Sequence, residues 1–128
     1  MSFPTFRLDN KIAIVTGGGQ GIGRSIALGF ANVGATVVIT GRTPETLKKV
    51  ENELKATDHP GKAIKMDVGS QEDVRRLGEQ VMKTYGRLDI LVNNAAVRVH
   101  KPVLEHTLED WENVYRINVT GTFLCAWI

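Results

Sequence analysis

The apolar run Ile12-Ala13-Ile14-Val15 leads directly into Thr16-Gly17-Gly18-Gly19-Gln20-Gly21-Ile22-Gly23, beyond which Ile22, Ile26 and Phe30 recur at helical spacing. A buried strand that feeds a glycine-rich turn and then a helix leaves few folds open. The glycines let the main chain bend and approach a ligand, and the new helix turns its unpaired N–H groups and positive dipole end toward the turn. That arrangement suits a pyrophosphate. Three glycines at a helix start lower its stability unless bare backbone is needed there. The spacing, Gly-x-x-x-Gly-x-Gly through Gly17, Gly21 and Gly23, differs from the Gly-x-Gly-x-x-Gly of the common dinucleotide fingerprint.

The rest of the chain alternates strands and helices. The first helix is expected to run to about Val33 and stop at Gly34, with a second strand over residues 36–40. Thr43 and Pro44 read as N-cap and N1 of a second helix with Leu47, Val50 and Leu54 on one face, broken at Asp58-His59-Pro60-Gly61. Residues 62–67 form a third strand, and Ser70 with Asp73 resembles a capping box for a helix burying Val74, Leu77, Val81 and Tyr85 before Gly86. Residues 88–93 are the fourth strand. A looser segment, 94–106, contains Pro102. Thr107 and Asp110 then cap a last helix whose apolar residues are Leu108, Trp111, Val114 and Tyr115.

Strands apolar on both faces, alternating with amphipathic helices, predict an α/β fold with a parallel sheet covered on both sides. The right-handed crossover rule then selects a doubly wound Rossmann arrangement with strand order 3-2-1-4. The apolar run Phe123-Leu124-Cys125-Ala126-Trp127-Ile128 carries no cap or polar terminator. The expectation is therefore a truncated first half of such a domain, its fourth strand left as an apolar edge.

Sixteen Lys and Arg against fourteen Asp and Glu give a formal charge of +2, which implies no nucleic-acid partner. No run approaches membrane-spanning length, and the start, Met1-Ser2-Phe3-Pro4-Thr5-Phe6-Arg7, has no apolar leader core. A cytoplasmic location is the default expectation. Cys125, among Phe123, Leu124 and Ala126, reads as a buried small hydrophobe, and His59, His100 and His106 show no metal-ligand spacing, so no metal is expected.

Three motifs in order, Gly17/Gly21/Gly23 after the first strand, Asn93-Asn94-Ala95-Ala96 after the fourth, and Asn118-Val119-Thr120-Gly121 in the last helix, make the chain resemble the short-chain dehydrogenase/reductases over nearly all its length. Ala96 departs from the family's Asn-Asn-Ala-Gly by one methyl group. The resemblance implies that residues 1–128 are the N-terminal part of a single NAD(P)-binding domain. It further implies an oxidoreductase that moves hydride between NADP(H) and a small carbonyl or alcohol, and a homo-oligomer at full length. Gly17, Gln20, Gly21, Ile22 and Gly23 would wrap the pyrophosphate and adenosine ribose, Asp67 and Val68 would bound the adenine, and Asn94 and Ala95 would line the ribose region. Asn118 would distort its helix and hold a water that extends the catalytic proton relay; an Asn satisfying itself in a kink beside Gly121 is the plain structural alternative.

Nucleotide preference is argued from the end of the second strand, where an acidic residue would accept the ribose 2′-OH. Gly41-Arg42 stands there, nineteen positions beyond Gly23. A guanidinium binds phosphate bidentately, so NADP is favoured over NAD, with stacking on adenine or exposure to solvent as the alternative role for Arg42. Gln20 offers no second cation. The family's catalytic Tyr-x-x-x-Lys is absent, because Tyr85 is followed four residues on by Asp89 and Tyr115 by Val119. Both tyrosines read instead as apolar-face helix residues. The catalytic Ser, Tyr and Lys are then expected beyond Ile128, and the 128 residues alone are expected to be inactive. Arg98, His100 and Lys101 hint at a polar or anionic ligand, or are simply a surface loop. Two other classes remain open: a binding module without chemistry, and a P-loop nucleotidase, since Gly18 to Ser25 reads Gly-x-x-x-x-Gly-Arg-Ser with Arg24 in the lysine position.

Overall fold

The computed structural model describes residues 6–128; residues 1–5, part of the start read above as lacking a leader, lie outside them. Four strands, β1 (Ile12–Thr16), β2 (Thr36–Gly41), β3 (Lys62–Lys65) and β4 (Ile90–Val92), form one parallel sheet in the order β3-β2-β1-β4. Between and after them lie α1 (Gly21–Asn32), α2 (Pro44–Lys55), α3 (Gln71–Tyr85), α4 (Leu108–Tyr115) and α5 (Gly121–Trp127). A π-helical segment, Arg116–Thr120, joins α4 to α5, and a 3-10 turn occupies Val103–Glu105.

β1 is flanked on both sides, and all five of its residues are buried. Its alternation divides the core. Ile12 and Ile14 join Val38, Ile64, Val74, Leu77 and Leu124 on one face, while Ala13 and Val15 join Val37, Ile39, Leu47 and Val50 on the other. This two-sided burial is why the strand reads as an unbroken apolar run. β3 and β4 are shorter than the expected 62–67 and 88–93. Past β3 the Asp67 N–H donates to Asp73 Oδ2 (2.9 Å) instead of to a neighbouring strand, and past β4 the Asn94 N–H donates to the side chain of Thr16 (Oγ1, 3.0 Å).

α1 buries Gly23, Ala27 and Ala31, not the expected stripe of Ile22, Ile26 and Phe30. Ile22 is 74% exposed and the other two are half-buried. Only residues 17–20 connect β1 to α1, so the helix is pulled down onto the sheet and small side chains must face it. In α2, Leu47, Val50 and Leu54 are buried as expected. Thr43 occupies the N-cap position, yet its hydroxyl makes no capping bond; Thr46 Oγ1 donates to the Thr43 carbonyl instead (3.0 Å). Ser70 caps α3 through the Asp73 N–H (3.3 Å), but half of the expected box is missing because the Asp73 carboxylate is committed to Asp67. Gly86 ends α3 in the left-handed region at φ 71°.

The full capping box lies at α4, where Thr107 and Asp110 exchange bonds. Lys101 and the Thr107 N–H together hold the Asp110 carboxyl down at about 2. The apolar residues of this helix face outward: Leu108, Trp111 and Tyr115 are exposed, and only Val114 is half-buried. Trp111 stacks on Tyr115 and Phe123 on Trp127. Tyr115 thus departs from the expectation of a core-facing residue, whereas Tyr85 packs against the core. Cys125 is buried as expected, and burial pushes its thiol up to about 11.

The close approach of α1 sets a test. Ala27→Leu should overpack the helix–sheet contact and cost roughly 1–3 kcal/mol, whereas Ile22→Ala should change stability by less than about 0.5 kcal/mol. Urea unfolding midpoints of the two variants check this, and the opposite order would return Ile22 to the core.

Candidate functional site

Parallel strands deliver their C-terminal ends to one edge of the sheet, and a cavity of about 490 Å³ opens there. It lies where the chain, having moved outward from β1 to β2 and β3, crosses back to β4 on the other side. Such a switch point is where open α/β sheets bind ligands. Gly17, Gln20, Gly21, Ile22, Arg42, Asp67, Val68, Asn94 and Ala95 all line it. Gly23 and Asn118 do not.

The turn is built around glycine geometry. Gly17 and Gly21 have φ of +66° and +54°, a region that favours glycine. Gly23 lies beneath the turn, where a Cβ would collide with the Gly17 carbonyl and the Asn94 amide. The helix start above is bare. Gln20 makes no side-chain cap and the first turn of α1 holds no acidic residue, whereas α3 and α4 are capped and begin with Glu72-Asp73 and Glu109-Asp110. An uncapped, acid-free helix N-terminus over a cavity is complementary to an anion.

Thr16 carries no role in the motif reading, yet it holds the site together. Its hydroxyl, almost fully buried, accepts from the Asn94 and Ala95 N–H groups (both 3.0 Å) and donates to the Val92 carbonyl (3.3 Å). This is the full capacity of a hydroxyl. The Asn94 side chain returns the tie, donating Nδ2 to the carbonyls of Thr16 (3.0 Å) and Gly17 (3.2 Å). The ends of β1 and β4 are thereby one unit. A polar residue closing an apolar strand was the available sequence signal.

Arg42 follows β2, exposed at the cavity, and has no ion-pair partner among the described residues. Arg24, by contrast, points away and pairs with Glu53 of α2. It therefore cannot serve as the phosphate lysine of a P-loop, which removes that reading. Asp67, two residues beyond β3, has both oxygens engaged, Oδ1 by the Gly69 N–H (2.8 Å) and Oδ2 by Arg116 Nη1 (2.9 Å). With side chains 31% and 41% exposed, this ion pair adds at most about 1 kcal/mol to stability. Thr40, at the end of β2, lines the same cavity, and its buried Oγ1 is without a hydrogen-bond partner among the described residues.

Asn118 sits in the π-helical segment with both ends of its amide committed. Oδ1 accepts from the Val97 N–H (2.8 Å) and Nδ2 donates to the Val97 carbonyl (2.9 Å), fixing the segment after β4 to the helix. Its own carbonyl accepts from Thr122 Oγ1 (2.9 Å). Of the basic residues after β4, Arg98 lines the cavity, His100 is exposed, and Lys101 is bonded to Asp110 (2.8 Å). Tyr85 ends the helix that precedes β4, at the opposite edge of the sheet from the cavity, and burial raises its phenol above the ordinary value. Among the described residues no cluster of His, Cys, Asp and Glu suits a metal, and no helix is long and apolar enough to cross a membrane.

Thr16→Val preserves volume but leaves the Ala95 N–H without an acceptor and the Asn94 N–H with the Val92 carbonyl alone (3.1 Å). It should cost on the order of 2–3 kcal/mol, read as a lowered urea midpoint. A wild-type midpoint would show that the two strand ends are held by other means.

Comparison with known proteins agrees with this geometry. The short chain dehydrogenase family model matches residues 11–128. An uncharacterized oxidoreductase of Thermotoga maritima is 41% identical over 119 residues, covering 93% of this chain and 46% of its own length. The 3-oxoacyl-[acyl-carrier-protein] reductase FabG of Aquifex aeolicus is 41% identical over 120 residues, covering 92% and 48%. The RhlG/NADP active-site complex of Pseudomonas aeruginosa superposes with a TM-score of 0.89 at 37% identity, covering 98% of this chain and 49% of that one. The chain thus spans about half the length of the relatives it matches. With the glycine turn, the asparagine motif and the 3-2-1-4 sheet all in place, it belongs to the short-chain dehydrogenase family.

Proposed function

We propose that these residues form the dinucleotide site of an oxidoreductase that uses NADP(H) on a carbonyl or alcohol substrate. The observation that carries the reading is the bare N-terminus of α1 above the cavity, with the Arg42 guanidinium, in no ion pair among the described residues, beyond it at the end of β2. The residues fit the group: a notional Cβ on Gly21 would meet no atom from outside its own helix turn within 4 Å, leaving its backbone open to a phosphate, and the Thr40 hydroxyl, without a hydrogen-bond partner among the described residues, leaves polar capacity at the wall. Gly17, Gln20, Gly21 and Ile22 would hold the pyrophosphate and adenosine ribose, with Gly23 keeping α1 close enough for them to do so. Arg42 would bind a ribose 2′-phosphate, Asp67 and Val68 the adenine, and Asn94 and Ala95 the second ribose. When bound, such a cofactor would supply the hydride to a carbonyl or accept it from an alcohol.

Asn118 acts in this reading by position. Its amide sets the Val97 backbone, and hence the cavity wall after β4, while the π-helical turn frees main-chain polar groups that can hold a water in a proton relay. Proton transfer itself is assigned outside these 128 residues, since neither Tyr85 nor Tyr115 lines the cavity and neither has a lysine four positions on. A carbonyl substrate is in keeping with the reductase named among the relatives. A binding module without chemistry remains the reading for the 128 residues taken alone.

Arg42→Asp in the complete protein should weaken NADPH by about 2 kcal/mol, roughly thirtyfold, and relatively favour NADH, on charge-assisted hydrogen-bond magnitudes. Titration of both cofactors checks it, and unchanged discrimination would sink the assignment. Residues 1–128 expressed alone should not oxidise NADPH against a panel of ketones; turnover there would overturn the placement of proton transfer elsewhere.

A further inference from the structure

The Arg116–Asp67 ion pair joins segments 49 residues apart, and nothing in the dinucleotide reading requires it. Because the strand order is β3-β2-β1-β4, the strand ends place Asp67, Arg42, the glycine turn and Asn94 in that order along the cavity. A dinucleotide whose pyrophosphate meets the glycine turn, on the reading proposed above, extends its adenosine past Arg42 to Asp67. An ionised carboxylate is acceptor-only with about four lone-pair sites. Two are taken here, by the Gly69 N–H at Oδ1 and by Arg116 Nη1 at Oδ2. These bonds come from different directions and fix the plane of the group. The guanidinium is itself held, since Nη2 donates to Asn113 Oδ1 (3.2 Å), and a Cβ at Gly69 would run into Nη1, so the glycine makes room for it.

We propose that Arg116 is a positioning residue for base selection: by pinning the Asp67 carboxylate as a fixed acceptor at the end of the cavity, it makes the site favour a base carrying an exocyclic amino donor. The 6-amino group of adenine meets that acceptor. A 6-oxo base presents a second acceptor to it, and the two repel. A half-buried ion pair of this kind contributes little to the fold, so preorganisation of the carboxylate is what this one supplies. The arginine opens the same π-helical segment whose Asn118 holds Val97, so one distorted turn braces both ends of the cavity.

The test is calorimetric titration of the complete protein with NADPH and with its hypoxanthine analogue, in which a 6-oxo group replaces the 6-amino group. The wild type should prefer the adenine form by roughly tenfold or more. Arg116→Met should cut that preference at least about threefold, chiefly by weakening the adenine form, and Arg116→Lys should restore part of it. Asn113→Ala, an exposed change that removes only the second anchor of the guanidinium, should lower the preference by a smaller factor. A preference retained in Arg116→Met, with both affinities moving together, would overturn the proposal, as would wild-type binding without base preference. Failure of the wild type to bind either dinucleotide would instead overturn the dinucleotide reading, and this proposal with it.

Discussion

The site depends on one buried hydroxyl. Thr16 closes β1, and its Oγ1 collects the Asn94 and Ala95 N–H groups while donating to Val92. In a parallel sheet the C-terminal end of a strand runs out of ladder partners, and buried N–H groups left there would each lose a hydrogen bond's worth of solvation. The hydroxyl satisfies them and joins β4 to β1 without covering the ends of the strands. The Asn94 amide, bonded back to Thr16 and Gly17, then fixes the glycine turn to the same point. Everything that faces the cavity from β1 and β4 is therefore set by contacts beneath it.

Tight connection is the second constraint. Four residues between β1 and α1 draw the helix down until Gly23 lies against the Gly17 carbonyl. The same closeness selects alanine at positions 27 and 31 and expels Ile22 from the core to the cavity rim. The bare start of α1 thus has two consequences: its N–H groups face open space, and its apolar N-terminal side chain does too. α3 and α4, which begin away from the cavity turn, have the ordinary caps and acidic first turns that stabilise a helix end.

The β3–α3 loop is tied to this stretch twice, to the π-helical segment through Arg116 on Asp67 and to the first residue of α5 through Val68 packed on Gly121. On the other side of that segment, Asn118 holds Val97. A π turn inserts an extra residue per turn and so shifts the facing of the side chains around it. Here the shifted stretch serves two loops of the cavity wall at once, although its α4 neighbour offers Leu108, Trp111 and Tyr115 outward.

The sequence determined the strand order, the two-sided burial of β1 and nine of the nineteen residues that line the cavity, because apolar runs, glycine spacing and caps act over a few residues and leave local signatures. It misplaced the buried face of α1, where helical periodicity favoured the large side chains over the small ones that the short connection demanded. It placed Thr43 at the N-cap of α2, where it stands without a side-chain bond, and read Asp73 as half of a capping box by spacing, whereas its carboxylate takes the Asp67 N–H once the loop is packed. Only the tertiary structure decided that Thr16 joins β1 to β4, that Asn118 clamps Val97, and that Arg116 reaches Asp67. Those contacts span 78, 21 and 49 positions, and no local pattern records a hydrogen bond whose partner is chosen by how the sheet and helices come to rest against each other.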